Sequence, residues 1–514
     1  YRPMADAGLS CDPRGVQKGC AGNALAKHLE PHGGTWSKWR LAASGINLFD
    51  GLIWKNIGMS NWQELVGEVG GRVFDIEGIR QLEIIVPKTV YPPRGDTFLL
   101  CEAIAELKVG NMTTAIEIGC GSGIVTIMMS GFGWEVTAYD VNPFAVLATS
   151  GNLENLNLQE NTRVIEGGLG EGLEITKDVD LLIWNIPYIE NPSEAGKLSP
   201  IEDAALIDIP HGGWGKFLVT FLSDKIDEIS RDLIVVLVLK IDPEGESNIG
   251  DWSSRGWSHR VLKEKWMGDE KIAVVAFWQT ASLTKPEIIE KCESTMDEIS
   301  AKDSSVWHRI LAKTQTSGRG RRSAEWKSPN GGVYATWSLD KGVLKKYPPG
   351  LIQTCVGALV SEILGAFVKW PNDIITSDGR KMGGVLVEST DGEEIRLGVG
   401  ANRMGFKEDD FVASGWEETI GKIESLEVFE RIDRSLSSVF ENIGALDLPG
   451  EDVLISKSWE ALSRLLSTGV SLKLKGESVR VVGLNRMGEI EVCGKSGEVL
   501  VRDLEDLDWT YLTN

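Results

Sequence analysis

The sequence predicts a doubly wound α/β sheet, then a second unit of mixed strands and helices, then a small β-barrel. Three observations carry this expectation. From about 85 to 280, short β-rich runs alternate with helical stretches, the pattern of a parallel sheet. From 286 to about 460, strands and helices mix without that alternation. Near 465–514, short strands are broken by the turns "KLKGE", "LNRMGE" and "CGKSGE", which suits a small barrel.

Residues 1–58 show no sustained period of 2 or 3.6 and hold two of the seven cysteines and two of the five histidines. They are expected to be extraneous or poorly ordered, with Met59 as the natural start. The first unit then spans 59–280, with "TAIEIGC", "WEVTAYD", "DLLIWN" and "DLIVVLVLK" as its clearest strands. "FLLCEAIAEL" and "PFAVLATSGNLENLN" are its clearest helices. The polar, proline-containing stretch "QTASLTKPEI" marks a boundary, so the second unit is expected over 286–460 and the barrel over 465–514.

Composition narrows the function classes. The 514 residues exceed one ordinary domain, and 42% hydrophobic with 25% charged residues is usual for soluble globular chains. A net charge of −22 opposes a phosphodiester backbone, so nucleic acid is a poor main partner. The longest apolar run, "LIVVLVL", has the length of a strand, not of a bilayer span, and no signal peptide is evident. The scattered cysteines contain no CxxC pair, which argues against a zinc site or disulfide framework and for a reducing, cytoplasmic setting.

Two constellations carry chemistry. In the first, "AIEIGCGSGIVTI" puts Gly119, Gly121 and Gly123 between a strand and a helix, where backbone amides can approach a ligand closely. Asp140 ends the next strand and suits two ribose hydroxyls, although a helix cap is its plainer use. "WNIPYI" ends a later strand. There Asn185 and a backbone carbonyl can accept the hydrogens of a planar amino or amide nitrogen, and Tyr188 can stack on it, a proximity effect that needs no strong base. These residues resemble S-adenosylmethionine-dependent methyltransferases of the HemK/PrmC type, which methylate a glutamine of peptide release factors. The lead-in "VYPPRGDTFLLCEAI", with Asp96 and Thr97 heading a helix, and the segment "EDAALIDIPHGGWGKFL" extend the resemblance over Val90 to Gln279. It implies that Glu117, Gly119, Gly121 and Asp140 contact the cofactor, and that Asn185 with Tyr188 meets the target nitrogen. Ile186 stands where that family usually has proline, which leaves an adenine N6-methyltransferase or a non-catalytic module as alternatives.

In the second, "QTSGRGRRSAEW" alternates Arg319 and Arg321 with glycine, and forked guanidinium groups suit phosphate oxygens. Trp326 offers a flat face for an adenine. Upstream, Ser294 and Thr295 precede a helical segment, where an N-cap is the common role. Downstream lie "VKWPNDIITSDGRKMGGVLVE" and "LGVGANR". The order and spacing of these pieces resemble biotin–protein ligases across about Glu290 to Arg403, an α+β fold of the class II synthetase kind with an SH3-like C-terminal domain. The resemblance implies that ATP and biotin, with Mg2+, give biotinyl-5′-AMP, which a lysine of a biotin carboxyl carrier domain then attacks. By the same resemblance Lys381 bridges carboxylate and phosphate, and Arg319 and Arg321 close over the adenylate. Ser294, Thr295 and Gln315 hold the ureido group, Gly318 and Trp326 belong to the same nucleotide and biotin site, Asp373 orients the acceptor lysine or a metal, and Asn402 meets the nucleotide. The repressor-type ligases carry a winged helix that has no counterpart here, which together with the charge argues against a repressor role. The expected protein partners are therefore a carboxylase carrier domain and a release factor or other methylation substrate.

Overall fold

The computed structural model describes residues 62–66, 71–76, 79–87, 89–108, 113–188, 212–299, 307–390, 394–409 and 411–511. The expectations for residues 1–58 and Met59, and most of the "EDAALIDIPHGGWGKFL" segment, lie outside them. A three-stranded antiparallel sheet, Trp62–Val66, Gly71–Ile76 and Ile79–Ile85, comes first.

A seven-stranded sheet follows, made of β1 (Thr114–Ile118), β2 (Glu135–Asp140), β3 (Thr162–Glu166), β4 (Leu181–Trp184), β5 (Ile234–Asp242), β6 (Trp257–Met267) and β7 (Glu270–Gln279). Its order is β3-β2-β1-β4-β5-β7-β6. The first five strands pair in parallel, and β7 runs against both of its neighbours. The four strands expected from "TAIEIGC", "WEVTAYD", "DLLIWN" and "DLIVVLVLK" are β1, β2, β4 and β5. The near-continuous apolar run of β5 follows from burial on both faces. On one face lie α1 (Gly95–Ala105), α2 (Ile124–Gly131) and α3 (Pro143–Leu156), which bury Leu99, Ile127, Met128 and Leu153. On the other lies α4 (Gly213–Asp224), through Leu218, Val219 and Leu222. Helix α3 starts where it does because Pro143 fits the first turn and the Asn142 side chain accepts from the Phe144 N–H at 3.0 Å. The cap is therefore Asn142 and not Asp140.

The second sheet has nine strands. Its main path is β8 (Glu287–Ile289), β9 (His308–Ala312), β10 (Val333–Leu339), β11 (Phe367–Lys369), β12 (Asp373–Ile375), β13 (Lys381–Thr390) and β14 (Glu394–Ala401), in the order β8-β9-β10-β14-β13-β12-β11. Helices α5 (Pro349–Ile363) and α6 (Ser425–Phe440) share its core, where Trp337 stacks on Phe429 with ring centroids 5.4 Å apart. Asp433 of α6 is 4% exposed and is fully employed: Oδ1 accepts from the indole N–H groups of Trp307 and Trp337, both at 2.8 Å, and Oδ2 pairs with Arg309 at 3.0 Å. Helix α7 (Glu451–Ser467) leads to a five-stranded antiparallel sheet, β15 (Ser471–Leu474), β16 (Glu477–Leu484), β17 (Ile490–Gly494), β18 (Gly497–Val501) and β19 (Leu507–Thr510), ordered β18-β17-β16-β15-β19. Trp370 is buried in the core of this last sheet beside Leu472, Ile490 and Val492, and its indole donates to the Gly488 carbonyl at 2.7 Å.

The two large sheets are locked together by polar contacts from β6 and β7 to the end of α6. Arg260 is 5% exposed and donates to three carbonyls, Ser438 at 3.1 Å, Glu441 at 3.1 Å and Asp447 at 2.8 Å. The buried Glu441 carboxylate accepts from the Trp278 indole at 3.1 Å and from the Ala281 N–H at 3.1 Å. Among the described residues, no helix is long and apolar enough to cross a membrane.

Candidate functional sites

In the seven-stranded sheet, the strand order reverses between β1 and β4, and such a switch point opens a crevice at the carboxyl ends. The glycine loop leaves β1 there, with Gly119, Gly121 and Gly123 at φ of 71°, 57° and 85°, a region that side chains disfavour. Asp140 at the end of β2 ties this loop down. Its Oδ2 accepts from the Gly121 N–H at 2.9 Å, and its Oδ1 from the Asn142 N–H at 2.8 Å. Burial pushes its carboxyl up from the ordinary value, and the two amide bonds pull the other way. Glu117 is buried, and the Thr126 hydroxyl donates to it; burial pushes its carboxyl up to about 7, against that bond.

Asn185 follows β4, and its Nδ2 donates to Asp96 Oδ2 at 3.2 Å and to Thr97 Oγ1 at 3.5 Å. The Tyr188 hydroxyl donates to the same Asp96 oxygen at 3.3 Å. Burial, then the Asp96 charge, push the Tyr188 phenol far above its ordinary value. Asn185 and Tyr188 thus share one partner, which the sequence marked only as the head of a helix. The glycine loop stands beside them: a Cβ at Gly119 would lie 3.4 Å from the Trp184 indole nitrogen.

In the second sheet, a cavity of about 350 Å³ opens over β13 and β14. Eight of the ten residues expected there line it: Ser294, Thr295, Gln315, Arg319, Arg321, Trp326, Asp373 and Lys381. Gly318 and Asn402 do not line it. Gly318 pairs with Trp326 in a two-stranded ribbon, and Asn402, 2% exposed, follows β14 and donates to the Ser414 carbonyl at 3.3 Å.

Lys381 begins β13, next to β12. Its amine is 2.6 Å from Asp373 Oδ1 and 5.4 Å from the centroid of the Trp326 ring, so carboxylate and indole both hold the cation. The ring lies against bare backbone: a Cβ at Gly400 would come within 2.6 Å of it. Arg319 pairs with Asp297 at 2.8 Å and Glu388 at 3.4 Å, and Arg321 donates to Asn372 Oδ1 at 3.5 Å. Gln315 Oε1 accepts from the Thr295 N–H at 2.8 Å and hydroxyl at 3.1 Å, while Thr336 of β10 donates to that hydroxyl at 2.8 Å. Ser294 caps the short turn Thr295–Glu298, accepting from the Met296 N–H at 3.4 Å, so the plainer role is present as well.

Sequence reasoning missed the rim. Asp503, Leu504 and Glu505, from the segment between β18 and β19, line the cavity, and both carboxylates pair with Arg322. They lie about 180 residues from the arginine loop, so no local signal could have joined them.

Residues 290–402 match the Biotin/lipoate A/B protein ligase family, and residues 96–188 match the Ribosomal protein L11 methyltransferase (PrmA) family. The chain carries a biotin/lipoate ligase domain and a methyltransferase region. The Bifunctional ligase/repressor BirA of Escherichia coli (strain K12) is 31% identical over 198 residues, 35% of this chain and 60% of that relative. That of Salmonella typhimurium is 39% identical over 117 residues, 21% of this chain and 36% of the relative. The Release factor glutamine methyltransferase of Clostridium acetobutylicum is 28% identical over 126 residues, 24% of this chain and 44% of the relative. The chain thus spans from 36% to 60% of the length of these relatives. Among solved structures, the biotin protein ligase from Aquifex aeolicus in complex with biotin and ATP is 23% identical, with 44% of this chain and 98% of that chain covered and a TM-score of 0.36. The Asp373–Lys381 pair lies within the ligase match and the Asp96–Asn185–Tyr188 cluster within the methyltransferase match.

Proposed function

We propose that the chain is bifunctional. Its ligase domain attaches biotin to a lysine of a biotin carboxyl carrier protein through biotinyl-5′-AMP, and its methyltransferase region methylates a nitrogen of a protein glutamine. On this reading residues 59–280 form the methyltransferase, 286–460 the catalytic ligase domain and 465–514 an SH3-like domain, and the chain works in the cytoplasm. The break between β7 and β8 and the distinct five-stranded sheet β15–β19 support that division.

The observation that carries the ligase reading is the Lys381 amine, held by Asp373 and Trp326 in a cavity bordered by Arg319 and Arg321. A carboxylate must meet a polyphosphate there, and fixed cations balance the charge that moves between them. Lys381 bridges the biotin carboxylate and the α-phosphate. Arg319 releases Asp297 and Glu388 and turns to phosphate. Thr295, already fixed by Gln315 and Thr336, presents hydrogen-bonding groups to the ureido ring. The buried Trp326 indole N–H lacks a partner among the described residues, which fits a site that a polar ligand completes. Mg2+ would be carried chiefly by the nucleotide phosphates.

For the methyltransferase, the backbone amides of the glycine loop and the Asp140 carboxylate would hold S-adenosylmethionine, which supplies an electrophilic methyl group. Asn185 and the Ile186 carbonyl accept the hydrogens of the target nitrogen and Tyr188 packs against its plane. A net charge of −22 supports a protein acceptor over a nucleic acid. A second acceptor, a ribosomal protein, is favoured by the family matched over residues 96–188.

The test is incubation of the purified chain with ATP, labelled biotin, labelled S-adenosylmethionine, a carrier domain, a release factor and ribosomal protein L11. Biotin is expected on the carrier lysine and methyl on a release-factor glutamine. Methyl on L11 would select the second acceptor, and an unlabelled carrier would refute the ligase reading.

A further inference from the structure

The acceptor end of the methyltransferase region contains a carboxylate with no role assigned so far. Asp96 opens α1 and is 2% exposed. Its Oδ1 accepts from the Thr97 N–H at 2.7 Å and from the Thr97 hydroxyl at 3.3 Å. Its Oδ2 accepts from Asn185 Nδ2 at 3.2 Å and from the Tyr188 hydroxyl at 3.3 Å. An ionised carboxylate only accepts, so it decides which end of the Asn185 amide turns toward it. Nδ2 is committed to Asp96, while Asn185 Oδ1 is buried with no partner among the described residues. An orphaned buried acceptor is a standing penalty, and an incoming N–H removes it.

We propose that Asp96 is the positioning residue of the methyl-acceptor site, holding Asn185 so that Oδ1 receives an N–H of the target nitrogen, and holding Tyr188 by its hydroxyl. This rests on the methyltransferase reading above. Oδ1 is shielded from solvent, so the nitrogen reaches it only as neighbouring side chains part. With its hydrogens drawn toward Asn185 Oδ1 and the Ile186 carbonyl, the nitrogen turns its lone pair to the methyl group. The nitrogen gains the methyl as the sulfonium sulfur keeps the bonding pair, and then loses one proton to water. Asp96 touches none of these atoms and acts through Asn185 and Tyr188.

The isosteric Asp96→Asn substitution isolates this role. An amide at position 96 offers a donor as well as an acceptor, so either orientation of Asn185 is satisfied and the selection is lost. Rates are measured with labelled S-adenosylmethionine and a glutamine-containing loop peptide of a release factor as probe. A drop of about 10²-fold in kcat is expected for Asp96→Asn, the scale of a misplaced reactant. Calorimetric affinity for S-adenosylmethionine should stay within about twofold, which also reports folding, and Tyr188→Phe should cost less than Asp96→Asn. In an Asn185→Ala background, Asp96→Asn should change kcat by less than about threefold, because the amide it orients is gone and an amide oxygen at 96 still accepts from the Tyr188 hydroxyl. Unchanged kcat in Asp96→Asn, an equal loss of cofactor affinity, or an undiminished effect in the Asn185→Ala background would each overturn the positioning role while leaving the methyltransferase reading intact. No transfer by the wild-type chain to the peptide would overturn the glutamine reading, and this inference with it.

Discussion

Arg260→Ala is expected to weaken the joint between the two large sheets by about 3–4 kcal/mol. The guanidinium makes three hydrogen bonds to carbonyls at and beyond the end of α6, at 2.8 to 3.1 Å. Hydrogen bonds from a charged donor contribute about 2 kcal/mol each, a gross figure of ~6 kcal/mol. Burial opposes this, pushing the guanidinium from its ordinary value down to about 10 despite help from nearby Tyr347, Glu441 and Asp447. At about 1.4 kcal/mol for each pH unit, that desolvation offsets ~3 kcal/mol. The remainder is about 3 kcal/mol in favour of the pair. Stacking over the Trp278 ring, 5.1 Å from its centroid, adds up to about 1 kcal/mol. The assay is urea unfolding of the full chain, followed by tryptophan fluorescence and by ligase activity. Arg260→Ala should move the first transition to lower urea and separate it from the second, with Arg260→Lys between it and wild type. Superimposable curves for Arg260→Ala and wild type would refute the reasoning, because hydrogen bonding and desolvation would then cancel.

Three further outcomes are expected. Lys381→Ala should lower adenylation, measured as pyrophosphate release, by about 10²–10³-fold, as loss of one preorganised charge does, and near wild-type biotin transfer would sink the assignment. Gly400→Ala should displace the Trp326 ring, which a Cβ would approach within 2.6 Å, and raise the KM for ATP or biotin about tenfold, the lower end of an overpacking cost of about 1–3 kcal/mol. Glu117 sets a pH dependence. Its folded value of about 7 lies above its ordinary 4.5, so its contribution is fully present below about 4.5 and is lost as pH rises through 7. The loss approaches ~3 kcal/mol, so the stability difference between wild type and Glu117→Gln should shift by that amount between pH 4.5 and 8, read from urea titrations at each pH. A flat difference would count against it.

Much of the chain was legible in the sequence because its signals are local. The run of β5 reads as a strand from its length and composition, and the glycines after β1 announce a loop whose backbone can approach a ligand closely. Lys381, set between a polar turn and an apolar run, was marked by the motifs around it, as was Trp326. Local pattern could not rank the plain and the chemical uses of one residue. Ser294 is a cap as well as a wall of the cavity, whereas Asp140 leaves the cap to Asn142 and ties the glycine loop instead.

The sequence by itself determined the element types, the two constellations and the residue kinds that each chemistry needs, because spacing along a strand or loop is short-range information. Only the tertiary structure decided which oxygen of Asp96 meets Asn185 and Tyr188, that Asp503 and Glu505 border the ligase cavity, and that Arg260 closes the end of a helix in the other half. Those contacts join residues roughly 90 to 190 positions apart. They depend on how sheets and helices pack, and no period of 2 or 3.6 encodes that.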